Sequence, residues 1–261
     1  MMPALWISKT GLSAQNTKLA TVANNLANAA TVGFKRDDAQ FEDLLYQLHS
    51  QPGAASSQST KLPSGMQVGT GVRVVSTSKQ FTEGSLQVTD RPLDVAINGR
   101  GFFQVELPDG TTAYTRNGQF QMSADGEIVT SDGKVVQPSI TIPADAQSIT
   151  ISRDGIVEAR VPGQAAPQQI GQFQIADFIN PSGLQAVGGN LFLETASSGT
   201  PQQGQPGNTG FGQLEQNTLE ASNVDVVEEM VNMITTQRTY EMNSKVIATA
   251  DQMLQFITQT L

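Results

Sequence analysis

Two stretches of sevenfold apolar repetition, one at each end of the chain, constrain the fold more than any other feature. Leu5, Leu12, Leu19 and Leu26 recur every seven residues, and Val22 with Ala23 fills part of the intervening row. This period predicts one long amphipathic helix from about residue 3 to residue 28. Pro3 suits the first helical turn, where its missing N–H is not needed, and Asn28 followed by Gly33 supplies stopping chemistry. At the other end Val226, Met233, Tyr240, Ile247, Leu254 and Leu261 keep the same spacing. A second helix is expected to begin near residue 223, capped by Ser222 or Asn223, with Asp225, Glu228 and Glu229 where the first-turn dipole favours negative charge.

The companion seam of the second helix carries Gln237, Asn243, Ser244 and Asp251, a poor match for an apolar two-stranded coil. Side-by-side packing among several chains suits it better. Residues 1–30 hold two bases and no acid, whereas residues 220–261 hold six acids and two bases, so the two ends attract. Leu5, Leu12, Leu19, Leu26, Val226, Met233, Tyr240, Ile247 and Leu254 are the expected subunit-interface residues.

Between the ends the period changes. From Val72 to Leu193 short Val, Ile, Phe and Thr runs alternate with Asp109-Gly110, Asn117-Gly118, Asp125-Gly126, Asp132-Gly133 and Asp154-Gly155, all hairpin-type punctuation. An antiparallel meander is the simplest expectation. Two polar segments, 47–64 and the return after Ser197, read as linkers. The predicted class is α+β, with long terminal helices forming a paired, coiled-coil-like unit around an inserted, mainly antiparallel β domain. The boundaries run 1–30 for the first helix, 31–71 for a connector containing 47–64, 72–196 for the β domain, 197–219 for the return linker and 220–261 for the second helix.

Composition narrows the function. With Asp+Glu 24 against Lys+Arg 15, the net charge of −9 offers no basic footprint for nucleic acid and repels anionic lipid, so protein partners are expected. No apolar run in the first thirty residues is long enough for a signal-peptide core or a membrane span. The chain has no cysteine, and its single histidine, His49, falls in the polar segment, away from any recognisable nucleophile. The Asp-Gly pairs lack the ladder of a calcium loop, and no zinc cluster is present. Asn98-Gly99-Arg100-Gly101 lacks the third glycine of a nucleotide loop and reads as a tight turn delivering Phe102 and Phe103 to the β core. Asp94 with Glu106 or Asp109 is the one carboxylate pairing worth weighing for glycan cleavage, as in a periplasmic glycan-binding or cleaving protein. No cofactor, metal or catalytic residue is expected.

Residues 23–35, ANNLANAATVGFK, resemble the amino-terminal signature of flagellar rod and hook proteins, carried here by Asn24, Asn25, Leu26, Asn28, Thr31, Gly33, Phe34 and Lys35. DVAINGRGFFQV at 94–105 and YTRNGQF at 114–120 are similar to the family's β-domain motifs. So are ASNVDVVEEMVNMI and QRTYEMNSKVIATADQML near the carboxyl end. MMPALWISKTGLSAQ, FEDLLYQ at 41–47 and PSGMQVGTGVR at 63–73 look most like distal-rod members, with proximal-rod and hook subunits as alternatives. The resemblance implies an axial protein that leaves through the flagellar type III export apparatus without a cleaved signal. It implies a subunit that assembles with copies of itself in the periplasm-crossing rod, between proximal-rod and hook proteins and beside the periplasmic and outer-membrane rings. It also implies terminal helices bundled around a central channel, a β domain facing outward, and no direct membrane insertion.

Overall fold

The computed structural model describes residues 3–51, 64–163 and 166–260. Both heptad ends are helical: α1 spans Pro3–Ala27 and α2 spans Val226–Thr260. The cap of α2 differs from expectation. Asp225 closes the first turn, its Oδ1 accepting from the N–H groups of Val227 at 2.8 Å and Glu228 at 3.3 Å. Asn223 is engaged elsewhere, accepting from the Arg36 N–H at 2.8 Å, and Ser222 accepts from Val224 N–H. Leu261 lies outside the described residues, as do 52–63 of the polar segment.

The chain forms two compact units. The first contains both helices and residues 37–78. Within it α1 contacts α2 and the strand Asp37–Asp43, which pairs with Val72–Lys79, while Gln47–Ser50 pairs antiparallel with Met66–Val68. Part of the expected 31–71 connector is therefore β ribbon packed with the helices. No helix among the described residues is long and apolar enough to cross a membrane.

The second unit contains residues 28–36 and 79–224. Its main sheet runs, in spatial order, Gln185–Gly188, Leu191–Leu193, Thr112–Thr115, Phe102–Glu106, Ile175–Asp177 and Gln202–Gly204, with Val136–Gln137 also pairing to Phe102–Glu106. Asp109-Gly110, Asp125-Gly126, Asp132-Gly133 and Asp154-Gly155 all turn the chain, their glycines near φ +80°. Asn117-Gly118 is not a hairpin. A Cβ on Gly118 would lie 1.6 Å from the Val95 carbonyl oxygen, so this glycine permits a close crossing of two strands.

The sheet is not a meander. Gln213–Gln216 pairs with Val95–Asn98, and Thr218–Glu220 with Leu86–Val88, so the carboxyl end of the unit closes onto its beginning. Residues 197–219, expected as a return linker, thus carry three strands, anchored by the buried Leu214 and Leu219. Gly99 and Gly101 adopt φ +110° and +136°, and the strand they launch splits the core. Phe103 joins Val95, Ile97, Phe120, Ile128, Phe173 and Leu214 on one face. Phe102 joins Tyr114, Phe178, Leu184 and Phe192 on the other, as strand alternation requires. Each buried Phe contributes about 1.5–3 kcal/mol of hydrophobic stabilisation.

Candidate functional site

The helices present two kinds of surface. The buried residues of the helices are Ser8, Ala14, Val22 and Asn25 on α1, and Glu229, Thr236 and Ala250 on α2; all but Val22 are small or polar. The heptad leucines Leu5, Leu12, Leu19 and Leu26 are half-buried, as are Met233 and Ile247, whereas Val226, Tyr240 and Leu254 stay exposed. Val227, Met230, Val231 and Ile234 are also exposed, at the i, i+3, i+4, i+7 spacing of one helix face. This stripe lies beside the more regular sevenfold row and is legible in the sequence only by its own i, i+3, i+4, i+7 spacing. Trp6 on α1 is 52% exposed.

The ANNLANAATVGFK segment places polar side chains where each has a specific partner. Asn24 is exposed at the end of α1, Leu26 is half-buried, and Asn25 is 1% exposed. The Asn25 Oδ1 accepts from Asp37 N–H at 2.9 Å, and its Nδ2 donates to the Asp37 carbonyl at 2.9 Å and to Glu229 Oε1 at 3.3 Å. The Asn28 Oδ1 accepts from Thr31 Oγ1 at 3.2 Å, which stabilises the turn after α1. Gly33 sits at φ +70° and donates to the Glu220 carbonyl at 2.8 Å; a Cβ there would approach the Arg116 and Asn117 backbone to 2.8 Å. Phe34 is buried, with the Lys79 ammonium 5.1 Å from its ring centroid.

Lys35 ends the segment in a buried ionic cluster. Its Nζ donates to Glu220 Oε1 at 2.6 Å and to the Thr82 carbonyl at 2.7 Å, and none of its side chain is exposed. The other Glu220 oxygen faces Arg116 Nη1 at 3.3 Å, while Gly84 N–H donates to Oε1 at 3.0 Å. Arg116 also donates to the carbonyls of Ile97 and Gly99, and its guanidinium lies 5.5 Å from the Phe102 ring centroid. Burial pushes the Lys35 ammonium and the Arg116 guanidinium below their ordinary pKa values, and Glu220 opposes both shifts. The cluster joins residues 34–35, 82–84 and 220, and Asn223 extends it by donating to Gln80 and Thr82. Lys35 was legible as a motif residue; its partners, far away in sequence, were not.

The residues weighed for chemistry have structural surroundings. His49 is exposed on Gln47–Ser50. Asp94 is buried and accepts from Thr89 Oγ1 at 2.9 Å, while Asp109 accepts from the N–H and hydroxyl of Thr111 in its own turn. Among the described residues no group of three or more His, Cys, Asp or Glu side chains converges to hold a metal.

Three family models match the chain: "Flagella basal body rod protein" at residues 5–35, "Flagellar hook protein FlgE/F/G D1 domain" at 96–159, and "Flagellar basal body rod FlgEFG protein C-terminal" at 215–260. The chain is 54% identical to the flagellar basal-body rod protein FlgG of Buchnera aphidicola subsp. Schizaphis graminum, over 99% of this chain and 100% of that protein. It is 53% identical to FlgG of Buchnera aphidicola subsp. Baizongia pistaciae, over 98% of both chains. Its identity to FlgG of Caulobacter vibrioides is 51%, over 99% of both. The matched segments coincide with α1 and its exit turn, the heart of the β unit, and the closing strands with α2. With likeness running end to end, the chain belongs to the flagellar basal-body rod protein family, in its FlgG group.

Proposed function

We propose that the chain is a structural, non-enzymatic subunit of the distal flagellar rod, which assembles with copies of itself through its terminal helices into a hollow helical shaft carrying torque to the hook. The observation that carries this reading is the apolar stripe that the helix pair leaves uncovered: Val227, Met230, Val231 and Ile234 face out, while most of the residues buried within the pair are small or polar. Exposed stripes of this kind are covered by association. Coiled-coil-like pairing of α1 with α2 inside each subunit, with Leu5, Leu12, Leu19, Leu26, Val226, Met233, Tyr240, Ile247 and Leu254 flanking the seam, lets neighbours complete the packing. A closely packed helical wall resists shear, as torque transmission demands.

The subunit leaves the cytoplasm through the flagellar export apparatus and takes its place where the rod crosses the periplasm. Its neighbours there are proximal-rod subunits on one side, hook subunits on the other, and the surrounding rings. Electron microscopy of basal bodies from cells lacking the chain tests the reading. A rod stub ending before the outer rings is expected. Absence of any rod would point to a proximal subunit, a complete rod without a hook to a hook protein, and intact basal bodies would overturn the flagellar role.

A further inference from the structure

Sevenfold repetition leaves the pairing of α1 with α2 underdetermined. Sliding one helix past the other by one heptad, about 10.5 Å, carries each sevenfold position onto the next, so the apolar rows flanking the seam tolerate either arrangement. Something that does not repeat has to select the register.

The structure has two such contacts. Asn25 donates to Glu229 Oε1 at 3.3 Å, and Gly11 lies against Asn243, whose Nδ2 would be 3.2 Å from a Cβ at position 11. Gly11 and Asn25 are two heptads apart on α1, and Glu229 and Asn243 two heptads apart on α2. The helices therefore run antiparallel in a single register. Slipping by a heptad would set Gly11 against Thr236 or Ala250 and would take Glu229, 2% exposed, away from the Asn25 amide. Thr236, which one of these slips brings opposite Asn25, offers a neutral hydroxyl in place of the Glu229 carboxylate and is the weaker acceptor, with its own proton committed to the Asn232 carbonyl at 2.6 Å. Nor can Asn25 turn to follow a displaced α2. Its Oδ1 and Nδ2 are both engaged by the Asp37 backbone, which fixes the orientation of the amide.

We propose that Asn25, held by Asp37 and bonded to Glu229, is a positioning residue that selects one heptad register for the α1–α2 pair, and so sets how far each outward apolar stripe is staggered when it meets a second copy. The pair contributes specificity where the flanking apolar rows contribute attraction.

The absence of native cysteine permits a direct test by disulfide trapping in the full-length chain, diluted so that cross-links form within one molecule. Gly11→Cys with Asn243→Cys reports the native register; Gly11→Cys with Thr236→Cys or with Ala250→Cys reports the two slipped ones. With Asn25 intact, the native pair should cross-link at least about tenfold more than either slipped pair, tenfold being about 1.4 kcal/mol of preference. Asn25→Leu should bring at least one slipped yield to within about threefold of the native yield, about 0.65 kcal/mol on the same scale. Glu229→Gln, which keeps a side-chain acceptor, should retain the native pattern. An unchanged native preference in Asn25→Leu would overturn the proposal. So would loss of all three cross-links in that variant, which would make Asn25 a requirement for pairing rather than for its register, and so would equal yields when Asn25 is intact.

Discussion

Replacing Glu220 with Gln removes one charge from the centre of the buried cluster while leaving the shape of the side chain. Three donors then lose a carboxylate: Lys35 Nζ at 2.6 Å, Gly84 N–H at 3.0 Å and Arg116 Nη1 at 3.3 Å. At an effective dielectric near 20, each ion pair at such distances is worth on the order of 5 kcal/mol gross. Much of that is offset because the buried carboxylate no longer has to be desolvated. The net cost of stranding two buried cations is about 3–5 kcal/mol. That is a large part of the 5–15 kcal/mol typical of a domain. With a urea slope of about 1–3 kcal/mol per molar, the unfolding midpoint of the β unit should fall by about 1–5 M. Circular dichroism of the β signal and protease resistance of residues 79–224 report this directly, and Trp6, in the other unit, supplies an independent signal. Lys35→Met in the Glu220→Gln background should recover more than half of the loss, since one stranded cation is gone. A midpoint change below about 0.5 M, corresponding to about 1 kcal/mol, would refute the reasoning, because that is the scale of a solvated surface pair.

Gly118→Ala should destabilise the β unit by about 2–4 kcal/mol, because the added methyl meets the Val95 carbonyl oxygen, a backbone atom that cannot swing aside; thermal unfolding checks it. Val231→Asp, at a site 54% exposed in the single chain, should change subunit stability by less than about 0.5 kcal/mol yet abolish rods in electron micrographs. Leu19→Asp should likewise abolish rods, with the β unit still folded by circular dichroism; normal rods in both variants would remove these positions from the interface. Burial holds the Lys35 pKa below its ordinary range near 10.4. The folded state therefore binds fewer protons than the unfolded chain between the lowered value and that range, so stability should rise as pH rises through that window. Urea titrations at successive pH values should show this slope, and Lys35→Met should flatten it.

How much of this was legible depended on whether the signal was local. The extents of α1 and α2 followed from heptad spacing, and four of five Asp/Asn-Gly pairs marked real turns because such turns need only a residue or two of special backbone. The fifth, Asn117-Gly118, has the same dipeptide chemistry but serves a close strand crossing, which depends on where Val95 lies. Residues 197–219 looked like a linker because Gln, Gly and Pro dominate their composition. Leu214 and Leu219 are the only strong apolar signals in its closing strands, and pairing with strands more than a hundred residues earlier is what makes them core. The cap of α2 falls two or three residues beyond the expected one because Ser222, Asn223 and Asp225 are all competent caps; a distant partner, Arg36, claims Asn223, and Ser222 is taken by the local N–H of Val224.

By itself the sequence determined that this chain has helical ends with sevenfold apolar rows and a strand-rich centre, since periodicity is a property of the chain alone. Only the tertiary structure decided which face of each helix turns inward, which heptad meets which, and that Lys35, Arg116 and Glu220 share one buried cluster. Those outcomes depend on the burial of polar groups, and whether a buried charge or amide is tolerable is settled by partners that folding brings from elsewhere in the chain.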